Sequence, residues 1–147
     1  MPQIEGQLVD IHRRTIYPAR VSFEQGRITK IEPLVQAPDQ YLMPGFVDAH
    51  VHIESAMLVP SEFARLAVLH GTVGTVSDPH EIANVLGIDG VHFMINNGRQ
   101  VPFKFNFGAP SCVPATTFES AGATIDAAGV RDLLELDEVR YLDEMMN

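Results

Sequence analysis

The sequence predicts an α/β fold in two unequal parts: a small β module over residues 1–40, then parallel βα units over residues 41–147. Three observations carry this expectation. Short β-type runs joined by turn residues fill the first part. From Tyr41 onward, β-type runs alternate with segments of helical period. Each β-type run of the second part also ends in a cluster of polar residues.

In the first part, residues 7–11 read as a short strand. Residues 21–23 and 28–31 flank Glu24-Gln25-Gly26-Arg27, a hairpin turn in which Gly26 can take a positive φ. Pro33 and Pro38 then punctuate a connector. So short a module is expected to lack a core of its own and to pack on something else.

In the second part, residues 42–47 are apolar and run into Asp48-Ala49-His50-Val51-His52. Ser61 is placed to cap a helix with Phe63, Leu66 and Ala67 on one face and Gly71 at its end. Residues 72–76 are rich in β-branched side chains and lead to Asp78-Pro79-His80-Glu81. Ile88, Val91, His92 and Ile95 follow helical spacing, closed by Gly98. Phe103, Phe105 and Phe107 alternate with Lys104 and Asn106, the mark of a two-faced strand. Asp126 is placed to cap a helix bearing Val130, Leu133 and Leu134, and residues 139–142 form a fourth strand ending at Asp143-Glu144.

Composition narrows the function. Ten basic against 19 acidic residues leave a net charge of −9, the wrong sign for nucleic acid or an anionic membrane surface. No apolar run reaches the roughly 20 residues that span a bilayer, and Met1-Pro2-Gln3-Ile4-Glu5 is unlike a signal peptide. One cysteine cannot build a disulfide framework or a thiolate zinc module. A reducing, cytoplasmic location is the expectation.

The polar clusters are His50 and His52; Asp78, His80 and Glu81; Ser111 and Cys112; and Asp143 and Glu144. In parallel α/β architectures, active sites are built at that end of the strands. His50 and His52 are two apart on an extended segment, so their side chains point the same way with Cα atoms about 6.6 Å apart. Two such imidazoles can converge on one cation. Other members have plainer readings. Turn chemistry accounts for Asp78 before Pro79 equally well, and His80 and Glu81 could simply cap the following helix. Ser111 either contacts substrate or shapes its loop. Cys112 has no visible activating base, so a wall or structural role suits it better than a nucleophilic one. His92 reads as a core histidine, and Asp132, Glu135, Asp137 and Glu138 read as a solvated face.

Pro44-Gly45-Phe46-Val47-Asp48-Ala49 followed by His50-Val51-His52 resembles the first-strand signature of the amidohydrolase superfamily, metal-dependent hydrolases on a (β/α)8 barrel. Within it, His50-Val51-His52-Ile53-Glu54-Ser55, Asp78-Pro79-His80-Glu81-Ile82-Ala83-Asn84-Val85, Pro110-Ser111-Cys112-Val113-Pro114-Ala115-Thr116 and Glu144-Met145-Met146-Asn147 are similar to motifs of the bacterial adenine deaminase family. That resemblance implies the first half of such a barrel, about four βα units over residues 41–147, preceded by a small β-sandwich segment. It implies a homo-oligomeric enzyme converting adenine and water to hypoxanthine and ammonia with a pair of divalent ions, manganese or iron. Zinc is also compatible with imidazole and carboxylate donors. His50 and His52 would hold one ion, and Glu144 would lie between the two as metal ligand and catalytic group. Glu54, His80 and Glu81 are candidates for outer hydrogen-bond partners or for a further ion, and Ser111 and Cys112 for the substrate pocket. Cyclic-amide hydrolysis is the rival within the superfamily. It usually presents a lysine on the fourth strand, and residues 139–147 contain none. A non-catalytic piece is the rival outside it. A full barrel needs about 250 residues, so the 147-residue chain alone is expected to be an N-terminal part without activity.

Overall fold

A computed structural model describes residues 2–146 and divides the chain into two compact units, Met1–Pro44 and Gly45–Asn147. The first is a four-stranded sheet of β1 (Gln3–Asp10), β2 (Thr15–Glu24), β3 (Arg27–Pro33) and β4 (Tyr41–Leu42), in the order β3-β2-β1-β4. β1, β2 and β3 are antiparallel neighbours, whereas β4 runs parallel to β1. The hairpin closes at Glu24 opposite Arg27, leaving Gln25 at φ 49° and Gly26 at φ 74°. Two positive φ values define the primed turn whose twist matches that of the strands. Gly6 lets the chain after β3 come close, since a Cβ there would lie 2.6 Å from the Gln40 carbonyl oxygen that accepts the Gln7 N–H. Ile4, Leu8, Val21, Ile28, Ile31 and Leu42 line an open apolar hollow on this sheet.

The apolar run over 42–47 is not one strand. Tyr41–Leu42 pair with β1, the backbone breaks at residues 43–45, and β5 begins at Phe46. The boundary between the units therefore follows Pro44 rather than preceding Tyr41.

The second unit alternates β5 (Phe46–Val51), α1 (Pro60–Ala67), β6 (Thr72–Ser77), α2 (His80–Leu86), α3 (Ile88–Gly98), β7 (Lys104–Ala109), α4 (Ala127–Leu134) and β8 (Val139–Leu142). Its strands lie in sequence order, β5-β6-β7-β8, and every pairing is parallel. Phe107 and Ala109 on β7 and Val139 on β8 bury against Val91, Met94 and Ile95 of α3 and Leu133 of α4. Phe105 stacks on Phe107 with ring centroids 5.6 Å apart, continuing the alternation visible in the sequence.

Helix ends show where local signals were enough. Asp126 caps α4 as expected, its Oδ1 accepting the N–H groups of Ala128 and Gly129. Ser61 does not cap α1. Val59 is the N-cap, Pro60 takes the first turn, and the Ser61 N–H donates to Asn97 Oδ1 at 2.8 Å. Proline suits that turn because it has no N–H to satisfy. Leu66, expected on the buried face, is 54% exposed, while Ala64 is buried. Gly71, at φ 83°, ends a 3-10 turn (Val68–His70) that prolongs α1. Gly87, at φ 63°, separates α2 from α3 and makes two helices between β6 and β7. Among the described residues, no helix is long and apolar enough to cross a membrane.

Candidate metal centre

Parallel alignment brings the carboxyl ends of β5, β6, β7 and β8 to one edge of the second unit. Behind that edge, the strands are tied to one another by polar bonds. Thr75 Oγ1 and Ser77 Oγ lie 2.6 Å apart, Asn106 Nδ2 donates to the Thr75 carbonyl at 2.9 Å, and the Tyr141 hydroxyl donates to the Ser77 carbonyl at 3.0 Å. Burial raises the Tyr141 phenol above its ordinary value, and the nearby charges of Asp143 and Asp78 add to the effect.

His50 is on β5 and His52 follows it, so strand alternation turns both rings to the same side. Their Nε2 atoms are 2.9 Å apart. His52 Nδ1 lies 2.8 Å from Glu81 Oε2, and Ser55 Oγ donates to Glu81 Oε1 at 3.1 Å. With Glu81 accepting the Nδ1 proton, His52 presents a lone pair at Nε2. Burial opposes ionisation of Glu81, but the hydrogen bonds from His52 and Ser55 outweigh it and hold the carboxyl below its ordinary value.

Glu144 follows β8 and reaches the same point: its Oε1 is 3.8 Å from His52 Nε2 and its Oε2 is 4.0 Å from His50 Nε2. Asp78, just after β6, adds Oδ2 at 3.9 Å from His52 Nε2. One ligand atom from each of His50, His52, Asp78 and Glu144 falls within 4.8 Å of the others. Two nitrogens at right angles around an ion, each at about 2.1 Å, would lie about 3.0 Å apart. The histidine spacing matches that value, so the donor set fits a divalent cation.

The remaining site residues lie around this group. Glu54, in a 3-10 turn (Ile53–Ala56), accepts the Ile82 N–H at 3.1 Å and so ties the end of β5 to α2. Burial raises its carboxyl above the ordinary range, with Glu81 adding to the shift. His80 opens α2, is buried, and has an Nδ1 without a hydrogen-bond partner. Ser111 Oγ donates to the Glu144 carbonyl at 2.7 Å, and Cys112 Sγ accepts the Met146 N–H at 3.3 Å. Both therefore touch the backbone that carries Glu144. Asn147, the last residue of the fourth motif, lies outside the described residues.

Asp78 and Asp143 are the members that sequence reasoning undervalued. Both are buried, at 1% and 5% exposure. Asp143 Oδ1 accepts the Glu144 N–H, and its Oδ2 has no partner. Gly108 makes room for it, since a Cβ there would sit 2.5 Å from that oxygen. Burial pushes the Asp78 carboxyl up to about 9, reinforced by Asp143 beside it and by the charges of Glu144 and Glu81. The signal available in the sequence was positional: each acid falls one residue past a strand end.

The chain is 63% identical over 144 residues to an adenine deaminase of Salinibacter ruber, covering 98% of this chain and 26% of that protein. Adenine deaminases of a Sulfurovum species and of Methanothermobacter thermautotrophicus are 58% and 51% identical, over 99% and 98% of this chain. The chain thus spans about a quarter of the length of the curated relatives it matches. Residues 41–145, which hold the donor group, match the amidohydrolase family, and the chain belongs to that family.

Proposed function

We propose that this chain supplies part of the active site of a metal-dependent adenine deaminase, converting adenine and water to hypoxanthine and ammonia. The observation that carries the reading is the convergence of His50, His52 and Glu144 on one point at the carboxyl edge of a parallel sheet. The names of relatives at 51–63% identity supply the substrate. In this reading the four parallel strands are the first half of a (β/α)8 barrel, and the first unit is part of a β-sandwich. Strands β5 and β8 at the sheet margins have edges suited to further pairing.

The site would take two divalent ions, manganese or iron. When bound, such ions acidify water and make a nucleophile available near neutral pH for attack at C6 of the purine. His50 and His52 would hold one ion through Nε2, with Glu81 fixing the His52 tautomer and Ser55 steadying Glu81. Glu144 has an oxygen toward each histidine and would lie between the two ions. Ser111 would set the height of Glu144 by holding its carbonyl. Cys112 would anchor the following residues and so contribute to the pocket wall. Glu54 and His80 would line the same edge from the turn after β5 and the start of α2.

The test is ammonia release from adenine by the complete protein loaded with manganese or iron, run beside residues 1–147 alone. Turnover by the complete protein and none by the shorter chain is expected. Bound metal with turnover of a cyclic amide and none of adenine would overturn the substrate assignment.

A further inference from the structure

We propose that Asp78 is a direct donor to the cation held by His50 and His52, an inference that rests on the metal-centre reading above. Turn chemistry, the plain account of an aspartate before proline, would occupy the side chain with a nearby backbone N–H. Here no protein N–H or O–H group donates to either Asp78 oxygen, no side chain caps α2, and the carboxyl beside it is Asp143, to which an ionised Asp78 can hydrogen-bond only through a shared proton. The backbone of Asp78 is held in place, its N–H donating to the Val51 carbonyl at 3.0 Å and so pinning the end of β6 beside the end of β5.

The carboxylate is 1% exposed, so water does not solvate it. The titratable groups facing it are the carboxyls of Asp143, Glu144 and Glu81, the Tyr141 phenol, and His52. A buried anion among anions is unfavourable unless a cation or a proton neutralises it. Asp78 Oδ2 points toward His52 Nε2, at a distance between those of adjacent and opposite donors around one ion, about 3.0 and 4.2 Å. With Glu144, the set becomes two imidazole nitrogens and two carboxylate oxygens, whose combined charge neutralises a divalent ion. Strand β6 then contributes to the centre together with β5 and β8.

The experiment titrates Mn(II) and Co(II) into the complete metal-free protein and its Asp78→Asn and Asp78→Glu variants, with far-UV circular dichroism as the fold control. Asn keeps the shape of the side chain and removes the charge. Asp78→Asn is expected to lose one equivalent of tightly bound metal, or to weaken one site at least about tenfold, with a changed Co(II) visible spectrum. Asp78→Glu, which keeps an oxygen donor, is expected to retain the metal with shifted Co(II) bands. If Asp78→Asn fails to fold, the Glu variant alone decides: shifted bands support a direct bond, and a wild-type spectrum overturns it. Wild-type stoichiometry, affinity and spectrum in folded Asp78→Asn would also overturn the proposal and leave a proton shared with Asp143 as the neutralising charge. Parallel His50→Ala and His52→Ala titrations separate the two hypotheses. If they too leave metal binding unchanged, the metal-centre reading itself has failed.

Discussion

The two faces of the parallel sheet solve opposite problems. Toward α3 and α4, Phe107, Val91, Met94, Ile95 and Leu133 fill a dry layer that contributes stability through apolar burial. At the carboxyl edge lie His50 on β5 and, just past the ends of β5, β6 and β8, His52, Asp78 and Asp143, and three buried oxygens of the two aspartates accept no hydrogen bond from a described residue. A fold optimised only for stability would not keep acids in that position. On β5 stability and site chemistry are separated by strand alternation: Val51 packs against the core, while His50 and His52 on either side of it turn to the site.

That separation is open to attack from both sides. His50→Ala or His52→Ala should have the largest effect, abolishing tight metal binding at one site and nearly all turnover of the complete enzyme, with little change in the thermal midpoint of the metal-free protein. Metal content and melting curves check this together; wild-type metal content in the double variant would contradict the assignment. Glu144→Gln should keep the fold and lose the second equivalent of metal, because an amide has the shape but not the charge to hold two cations. Two equivalents bound with normal affinity would remove Glu144 from the bridging position.

On the apolar face the expected order reverses. Phe107→Ala should destabilise by about 3–5 kcal/mol in urea unfolding, from lost burial and the cavity left behind, while the metal-binding donors keep their identity. Asp126→Ala removes the cap of α4 and should cost about 1 kcal/mol by the same measurement. The smallest effect belongs to the surface pair of Glu138 with Arg99, whose hydrogen bond holds the Glu138 carboxyl below its ordinary value. A depressed carboxylate stabilises above its unfolded value and loses that contribution as pH falls through the folded value. Glu138→Gln should therefore cost less than about 1 kcal/mol at neutral pH, and the difference from wild type should vanish in acid.

Much of this chain is legible in the sequence. Strand and helix alternation, the Gly26 turn, the Asp126 cap and the pairing of His50 with His52 depend on residues within a few positions of one another, where backbone preference and side-chain period act directly. Leu66 and Ser61 escaped that reasoning because Pro60 and the partner Asn97, 36 residues away, decided how α1 starts. The split of the apolar run at 43–45 escaped it because pairing with β1 took Tyr41–Leu42 into another sheet.

The histidine pair, the strand-end acids and the family signature around them were thus determined by the sequence alone, since short-range geometry and residue chemistry suffice to mark them. Only the tertiary structure decided which acids meet those histidines. Parallel pairing sets Asp78, Glu81 and Glu144 around His50 and His52 although 92 residues separate Asp78's neighbour His52 from Glu144 at the chain's far end, and it buries Asp78 while leaving Glu144 exposed. Burial and unpaired oxygens, the features that separate a donor from a turn residue, exist only once distant strands have closed around the side chain.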